Sequence, residues 1–184
     1  MNWIIPTNFL RKANAMTDNK DEILTNNTPS ITSFKGEYSW LSNFYPCDII
    51  HEYLTYPSLE HAYQSCKTIN SAEKLYIKNC LSAGSAKKAG KKLTIRADWD
   101  NIKLDVMRDL IYQKFSKHVD LREKLIETSP AHLQENNYWG DRFWGVCEGV
   151  GENHLGGILM EVRDQLIEEA SQQFWQSNTE DYEY

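Results

Sequence analysis

Tyr56-Pro57-Ser58-Leu59-Glu60-His61-Ala62-Tyr63-Gln64-Ser65-Cys66-Lys67 is the stretch on which the reading of this chain turns. Proline's fixed φ suits a first helical turn, and a serine side chain accepts one of the N–H groups that a helix start leaves unpaired. Pro57 and Ser58 therefore predict a helix beginning here. At about 100° per residue, Glu60, Gln64 and Lys67 fall on one narrow stripe, and Leu59, Ala62, Tyr63 and Cys66 fill the opposite and flanking arc. Such a helix packs one side in the core and presents a carboxylate, an amide and an amine in successive turns. Taken alone, the stripe is read more simply as a solvated helix face. The aromatic, acidic and glycine-rich segments further along turn it into an enzyme hypothesis.

The chain has 184 residues and a formal net charge of -6. That length fits one domain able to bury about two-thirds of its unfolded surface. The negative charge argues against broad, sequence-independent capture of nucleic acid, which needs a basic face, although a local basic mouth stays open. Six Trp, ten Tyr and six Phe supply flat surfaces for a core or for stacking on a heterocycle. Cys47, Cys66, Cys80 and Cys147 form no CxxC pair and fit neither a disulfide framework nor a zinc knuckle, so free thiols are expected and no metal or cofactor is implied. With no apolar run of about eighteen residues and no basic-then-apolar start, the expectation is a soluble cytoplasmic protein without a membrane partner.

Residues 1–30 differ in composition from the rest of the chain: Trp3, Ile4 and Ile5 are apolar, and Asn14 to Ser30 is polar, which predicts a partly mobile extension. From Ile31 the pattern predicts a short strand and then an aromatic loop through Tyr38–Pro46 that carries Asn43. A hairpin over Cys47–Tyr56, turning near His51-Glu52, leads into the central helix. Helices are expected over Ala72–Cys80 and over the lysine-bearing Ser85–Lys92, whose Lys87, Lys88, Lys91 and Lys92 read as a solvated face or as a screen for a phosphate. A longer helix, capped by Asp98 or Asp100, carries the stripe Ile102, Val106, Met107, Leu110, Ile111 and Phe115. Another starts at Asp120 and ends at Ser129-Pro130, and Ala131–Glu135 fits a short strand. Trp99 is either a wedge between helices or a stacking wall. The glycine-rich passage Glu148–Gly157 precedes a helix with Ile158, Leu159, Val162, Leu166 and Ile167 inside. Its spacing is neither the dinucleotide fingerprint nor a P-loop, and it serves either as a turn or as an anion cradle. The residues after Gln172 read as a tail.

In order along the chain stand Leu41-Ser42-Asn43-Phe44, then Ser58-Leu59-Glu60-His61 with Gln64 and Lys67, then Arg96 to Trp99. Tyr138-Trp139-Gly140-Asp141 comes next, then Gly151-Glu152-Asn153 with Leu155-Gly156 and a helix bearing Leu159-Met160. Over about Ile31 to Gln172 this series resembles the NADAR family. The resemblance and the element pattern together predict one compact α+β domain, several helices around a small mixed sheet, flanked by the extension 1–30 and the tail 173–184. Known members are N-glycosidases that cut a ribose C1–N bond. One branch acts on phosphorylated early riboflavin-pathway intermediates, and another removes ADP-ribose from guanine in DNA. The resemblance implies Glu60, Asp141, Lys67 and Trp99 as catalytic candidates and Asn43, Gln64, Gly151 and Asn153 as substrate-binding ones. One departure stands out: where riboflavin-pathway members are basic around the glycines, this chain has Val150 and Glu152. It also carries Phe143, Trp144, Val146 and Cys147 after Asp141. Either a phosphate is held differently or the substrate differs.

Cleaving an N-glycoside develops positive charge at C1 while electrons move into the leaving base. A carboxylate near C1 stabilises that charge and activates water, and an acidic group near the base protonates it. The expected assignment puts Glu60 near the ribose and uses Asp141 to orient substrate or transfer a proton, with Trp99 excluding water. Lys67 permits a second route through attack on C1 and a Schiff base, for which it must become neutral. The expected partner is thus a phosphorylated ribosyl heterocycle. ADP-ribosylated DNA and a noncatalytic nucleotide-binding module are the alternatives, and the pattern says nothing of oligomeric state.

Overall fold

A computed structural model describes residues 28–179. The predicted N-terminal extension falls almost wholly outside the described residues, as do the last five residues of the predicted tail.

Strand β1 (Ser30–Ile31) leads to a 3-10 helix at Gly36–Leu41 in the stretch expected to be an aromatic loop. The hairpin β2 (Pro46–His51) and β3 (Leu54–Ser58) comes next, as the pattern predicts. Its two-residue turn is Glu52-Tyr53, both left-handed at φ 46 and φ 66, the backbone twist that suits a tight antiparallel hairpin. Strand β3 hands over directly to helix α1 (Leu59–Ser65), so Ser58 ends the strand and begins the helix. Its side chain accepts the His61 N–H at 3.4 Å. Helix α2 (Ser71–Lys78) begins at Asn70, whose Oδ1 accepts the Ala72 N–H at 2.9 Å. Helix α3 (Ala83–Gly90) starts earlier than its lysines suggest. Ser82 and Ser85 form a reciprocal cap there, each hydroxyl accepting the other's backbone N–H.

Helices α4 (Trp99–Lys117) and α5 (Val119–Glu127) are followed by β4 (His132–Leu133), β5 (Asn136–Asn137), β6 (Val146–Cys147) and the long α6 (His154–Thr179). The predicted cap of α4 by Asp98 or Asp100 is absent: Asp98 is held instead by a bidentate pairing with Arg96, at 2.6 and 2.9 Å. The α+β class holds. The small mixed sheet takes the form of three two-stranded ladders, β2–β3 antiparallel and β1–β4 and β5–β6 parallel. The last two pair strands too short to extend further, and α6 runs on past Gln172. No described helix is long and apolar enough to cross a membrane.

The core forms where α1 is enclosed by the hairpin, α2, α3 and α4, with α6 packed on α4, through Ile49, Tyr56, Leu59, Ala62, Ile111 and Leu159 among others. Every residue of α1 is buried, its polar stripe included. That is the departure from an ordinary amphipathic helix that makes a site of it. A second buried polar group braces this arrangement. Lys114 on α4 is 0% exposed, and its Nζ donates to the carbonyls of Trp40 at 2.7 Å and Ser42 at 2.9 Å. The next carbonyl along the chain, that of Asn43, accepts the Glu60 N–H at 2.9 Å. All four cysteines are free thiols, and burial pushes that of Cys66 up to about 12.

Burial lowers the Lys114 ammonium to about 8, from an ordinary 10.5. Between those values the unfolded chain binds more protons than the folded one, so this group's contribution to stability rises with pH across the window. Comparing urea unfolding of the wild type and Lys114→Met at pH 8 and pH 10 should show the wild type gaining about 2 kcal/mol relative to the variant. A constant difference between them contradicts the burial.

Candidate active site

Helix α1 and the turn after it carry the site's polar stripe. Glu60 is 5% exposed and Gln64 4%. One turn apart, they meet on the inward face, where Gln64 Nε2 donates to Glu60 Oε1 at 2.8 Å. The second oxygen of that pair, Gln64 Oε1, is buried and accepts from no protein group. Burial raises the Glu60 carboxyl, while the bond from Gln64 and the charges of Lys87 and Lys67 draw it back and Asp141 opposes them. A buried carboxyl flanked by two amines and a second carboxylate is a reactive arrangement that a structural ion pair does not need.

Lys67 lies just past the end of α1, half-buried, with its carbonyl taken by the Arg96 N–H at 2.8 Å. Its Nζ sits 5.5 Å from the Tyr63 ring and 5.9 Å from the Trp99 ring. Burial lowers its basicity first; Glu60 pulls it back up, and Lys87 and Lys91 lower it further. Among the described residues no ion pair joins Lys67 to Glu60, so the amine is not locked as a clamp on that carboxylate. Trp99 is 9% exposed and packs on Tyr63 with centroids 5.1 Å apart. It wedges the start of α4 against α1 and at the same time walls the ground beneath Lys67. Tyr63 also meets the edge of Trp144, at 5.5 Å.

Asp141 approaches from the loop between β5 and β6. Its Oδ1 accepts the Trp144 N–H at 2.9 Å, and its main chain is held by the Asn137 side chain at 2.7 and 3.1 Å. It still acts electrostatically on Glu60 and Tyr63, so four predicted catalytic residues from separate segments share one neighbourhood. The predicted binding residues divide. Gln64 lies in the site, and Asn43 reaches it through its carbonyl, while its amide Nδ2 points to Met107 Sδ at 3.5 Å. Both ends of the Asn153 amide are engaged, Oδ1 by the Glu135 N–H at 3.1 Å and Nδ2 by the Leu133 carbonyl at 2.9 Å. Gly151 sits where a Cβ would overlap the Gly145 carbonyl oxygen, so it serves close packing of two loops.

The glycine-rich passage acts as a turn. The N–H groups of Glu152, His154 and Leu155 donate to the carbonyls of Arg142, Phe143 and Trp144 at 2.8, 3.2 and 3.0 Å, which leaves them engaged within the protein. Cations come from elsewhere. Lys87 on α3 lies over the rings of Trp139, at 5.7 Å, and Phe44, at 5.8 Å. Lys35 lies over Tyr138, at 4.9 Å, and Trp139, at 5.5 Å. Tyr138 and Trp139 are exposed. Sequence reasoning left Lys87 between a solvated helix face and a screen for a phosphate, and passed over Lys35 and Glu135, a carboxyl that senses Lys35, Lys87 and Asp141. A signal for Glu135 existed, because the alternation Ala131, Leu133, Glu135 turns it inward with two buried neighbours. A separate cleft of about 360 Å3, lined by Tyr38, Trp40, Lys124 and Glu127 among others, shares none of these site residues. No cluster of three or more His, Cys, Asp or Glu suited to a metal ion occurs among the described residues.

Gly90 on α3 admits the Gln64 amide, which a Cβ there would overlap. Gly90→Ala should lower stability by about 1–3 kcal/mol through overpacking. The double variant Gly90→Ala, Gln64→Ala should recover most of that, as read by thermal unfolding.

The Escherichia coli protein named N-glycosidase YbiA is 34% identical over 140 residues, spanning 73% of this chain and 85% of its own. Its NMR structure superposes with a TM-score of 0.70 at 32% identity, covering 80% of this chain and 89% of that one. The N-glycosidase Npun_R5314 of Nostoc punctiforme is 36% identical over 135 residues, 70% of this chain and 86% of its own. A Vibrio vulnificus riboflavin biosynthesis protein is 35% identical over 136 residues, 72% of this chain and 37% of its own length. The NADAR domain model matches residues 31–167, a span that holds every one of these site residues, and the chain belongs to the NADAR family.

Proposed function

We propose that this chain is an N-glycosidase that hydrolyses the C1–N bond between a ribose phosphate and a nitrogen heterocycle, with phosphorylated riboflavin-pathway intermediates as its substrates. The observation that carries the reading is the buried Glu60 carboxyl, hydrogen-bonded by Gln64 and faced by Lys87, Lys67 and Asp141. The names of the relatives, N-glycosidases and a riboflavin biosynthesis protein, support the bond class and the pathway.

In this reading the C1–N electron pair departs with the base, and positive charge grows on C1. The Glu60 carboxylate stabilises that charge and takes a proton from the incoming water, whose oxygen bonds to C1. Tyr63 and Trp99 exclude other water from the carboxylate's surroundings, which keeps its field strong. Asp141 orients the substrate or passes a proton to the leaving nitrogen. The phosphate lies against Lys87 and Lys35, and the exposed rings of Trp139 and Tyr138 beside them offer stacking surfaces for the heterocycle. This supplies the cations that Val150 and Glu152 do not.

A second route has its own support. Burial lowers the basicity of Lys67, and no ion pair with Glu60 holds it charged, so attack of its free amine on C1 and a Schiff base are chemically open. Direct hydrolysis is the route proposed, because Glu60 still favours the ammonium.

Incubating the protein with phosphoribosylated riboflavin-pathway intermediates, with product identification by mass, should release free base and ribose phosphate. Glu60→Gln and Asp141→Asn should each lower kcat about a hundredfold or more while unfolding like the wild type. Normal turnover in both variants sinks the assignment. Release of ADP-ribose from modified guanine in DNA would shift the leaving group, and binding without product would mark a nucleotide-binding module. Borohydride added during turnover should leave Lys67 unmodified; a reduced sugar adduct on that residue assigns the covalent route instead.

A further inference from the structure

We propose that Glu135 is the acid that protonates the departing heterocycle, which leaves Asp141 to orient the substrate from the loop that it holds. This rests on the N-glycosidase reading and assigns within it a proton donor taken from outside the family's motifs.

The backbone at Glu135 is pinned on both sides. Its N–H donates to Asn153 Oδ1 at 3.1 Å, and its carbonyl accepts the Val146 N–H at 2.8 Å. Held this way at the end of β4, the side chain enters the field of Lys35 from the loop after β1, Lys87 from α3 and Asp141 from the β5–β6 loop. Lys87 and Asp141 also act on Glu60, so the two glutamates share two charged neighbours. Glu135 Oε2 is buried and has no hydrogen-bond partner in the protein. A buried carboxyl oxygen left without a partner is destabilising, and a polar group of the substrate is the partner that relieves it.

Two carboxyls in one site must divide the labour, and their surroundings do so. Burial raises the Glu60 carboxyl as well, but Glu60 accepts a hydrogen bond from Gln64, which favours its carboxylate form and sets it apart from Glu135. Glu135 Oε2 accepts none. Burial pushes the Glu135 carboxyl up to about 7, against the pull of Lys35 and Lys87 and with the help of Asp141. A carboxylic acid poised near neutrality gives up and regains its proton at the operating pH. Asp141 is poorly placed for that work. Its Oδ1 caps the Trp144 N–H at 2.9 Å, a bond that protonation would weaken, and its main chain is tied to Asn137.

The step balances. The C1–N bond breaks with its electron pair on nitrogen, and that nitrogen takes the Glu135 proton. Water adds to C1 and loses a proton to Glu60, and both carboxyl groups return to their starting state by exchange with solvent.

The experiment is the pH dependence of kcat and kcat/KM for wild type, Glu135→Gln and Glu135→Asp on the phosphoribosyl heterocycle used for the Glu60 variants. A 13C NMR titration of the Glu135 carboxyl in the unliganded wild type accompanies it and needs no variant to fold. Wild-type kcat/KM should fall as pH rises through about 7, because the acid form of the free protein is then lost. Glu135→Gln should lose about a hundredfold or more in kcat with KM changed only a few-fold, and should lose that alkaline fall. Glu135→Asp should keep the fall and recover part of the rate, and the NMR titration should centre near the kinetic midpoint. Base release by wild type together with full activity in Glu135→Gln overturns the acid assignment alone. So does an alkaline fall that persists in that variant, or a carboxyl that titrates in the ordinary glutamate range. Failure of the wild type to release any base overturns the N-glycosidase reading and this assignment with it.

Discussion

The ammonium of Lys114, buried in the last turn of α4, is the constraint on which the site's geometry depends. It donates to the carbonyls of Trp40 and Ser42, closing the end of the 3-10 helix, and so sets where the Asn43 carbonyl falls. That carbonyl in turn receives the Glu60 N–H at the first turn of α1. Three segments far apart in sequence are thereby locked with few main-chain contacts between them. A buried amine with two carbonyl partners is costly to desolvate, and its bonds are correspondingly unforgiving of displacement. The structure accepts that burden beside the buried Glu60 carboxyl, whose backbone it fixes.

A comparable brace works from the other side. Arg163 on α6 is buried, and its guanidinium donates to the Ala131 carbonyl at 2.7 Å and to Thr128 Oγ1 at 3.1 Å. Asn153, immediately before α6, bridges Leu133 and Glu135. These two side chains do for β4 what a neighbouring strand does in a larger sheet. With only two-stranded ladders available, side-chain amides and a guanidinium satisfy backbone groups that sheet pairing leaves open. The result is a carboxyl-bearing strand end whose direction is fixed without a broad sheet behind it.

The chain carries a net charge of -6, yet its cations are not evenly spread. Lys35, Lys67, Lys87 and Lys91 converge on one mouth, while the acidic surplus is spread elsewhere, including surface pairs such as Asp105–Arg108 and Asp100–Lys103. Local potential, rather than the sum, decides what enters a cleft. Aromatic rings lie beneath three of these amines, so the cations and the rings hold one another in place.

The sequence by itself determined the order of elements, because hydrophobic period and capping chemistry are local. The hairpin before α1, the serine at its start, the inward stripe of α4 and the α+β class all follow from neighbours in the chain. It also marked Glu60, Gln64 and Lys67 as a group, since a 3.6-residue repeat places them together. Whether that stripe met water or the core was beyond it. Burial of the whole of α1 depends on the hairpin, α2, α3 and α4 closing over it, and this is a long-range outcome. For the same reason Lys114 passed unnoticed, although it stands one turn from Leu110 on the apolar face, and Lys87 stayed undecided between a solvated face and a screen for a phosphate. Only the tertiary structure decided that the glycine-rich passage engages its N–H groups internally and that Glu135 and Lys35 join the site. Partners that complete a hydrogen bond or shift a proton equilibrium lie tens of residues away, where no local periodicity can register them.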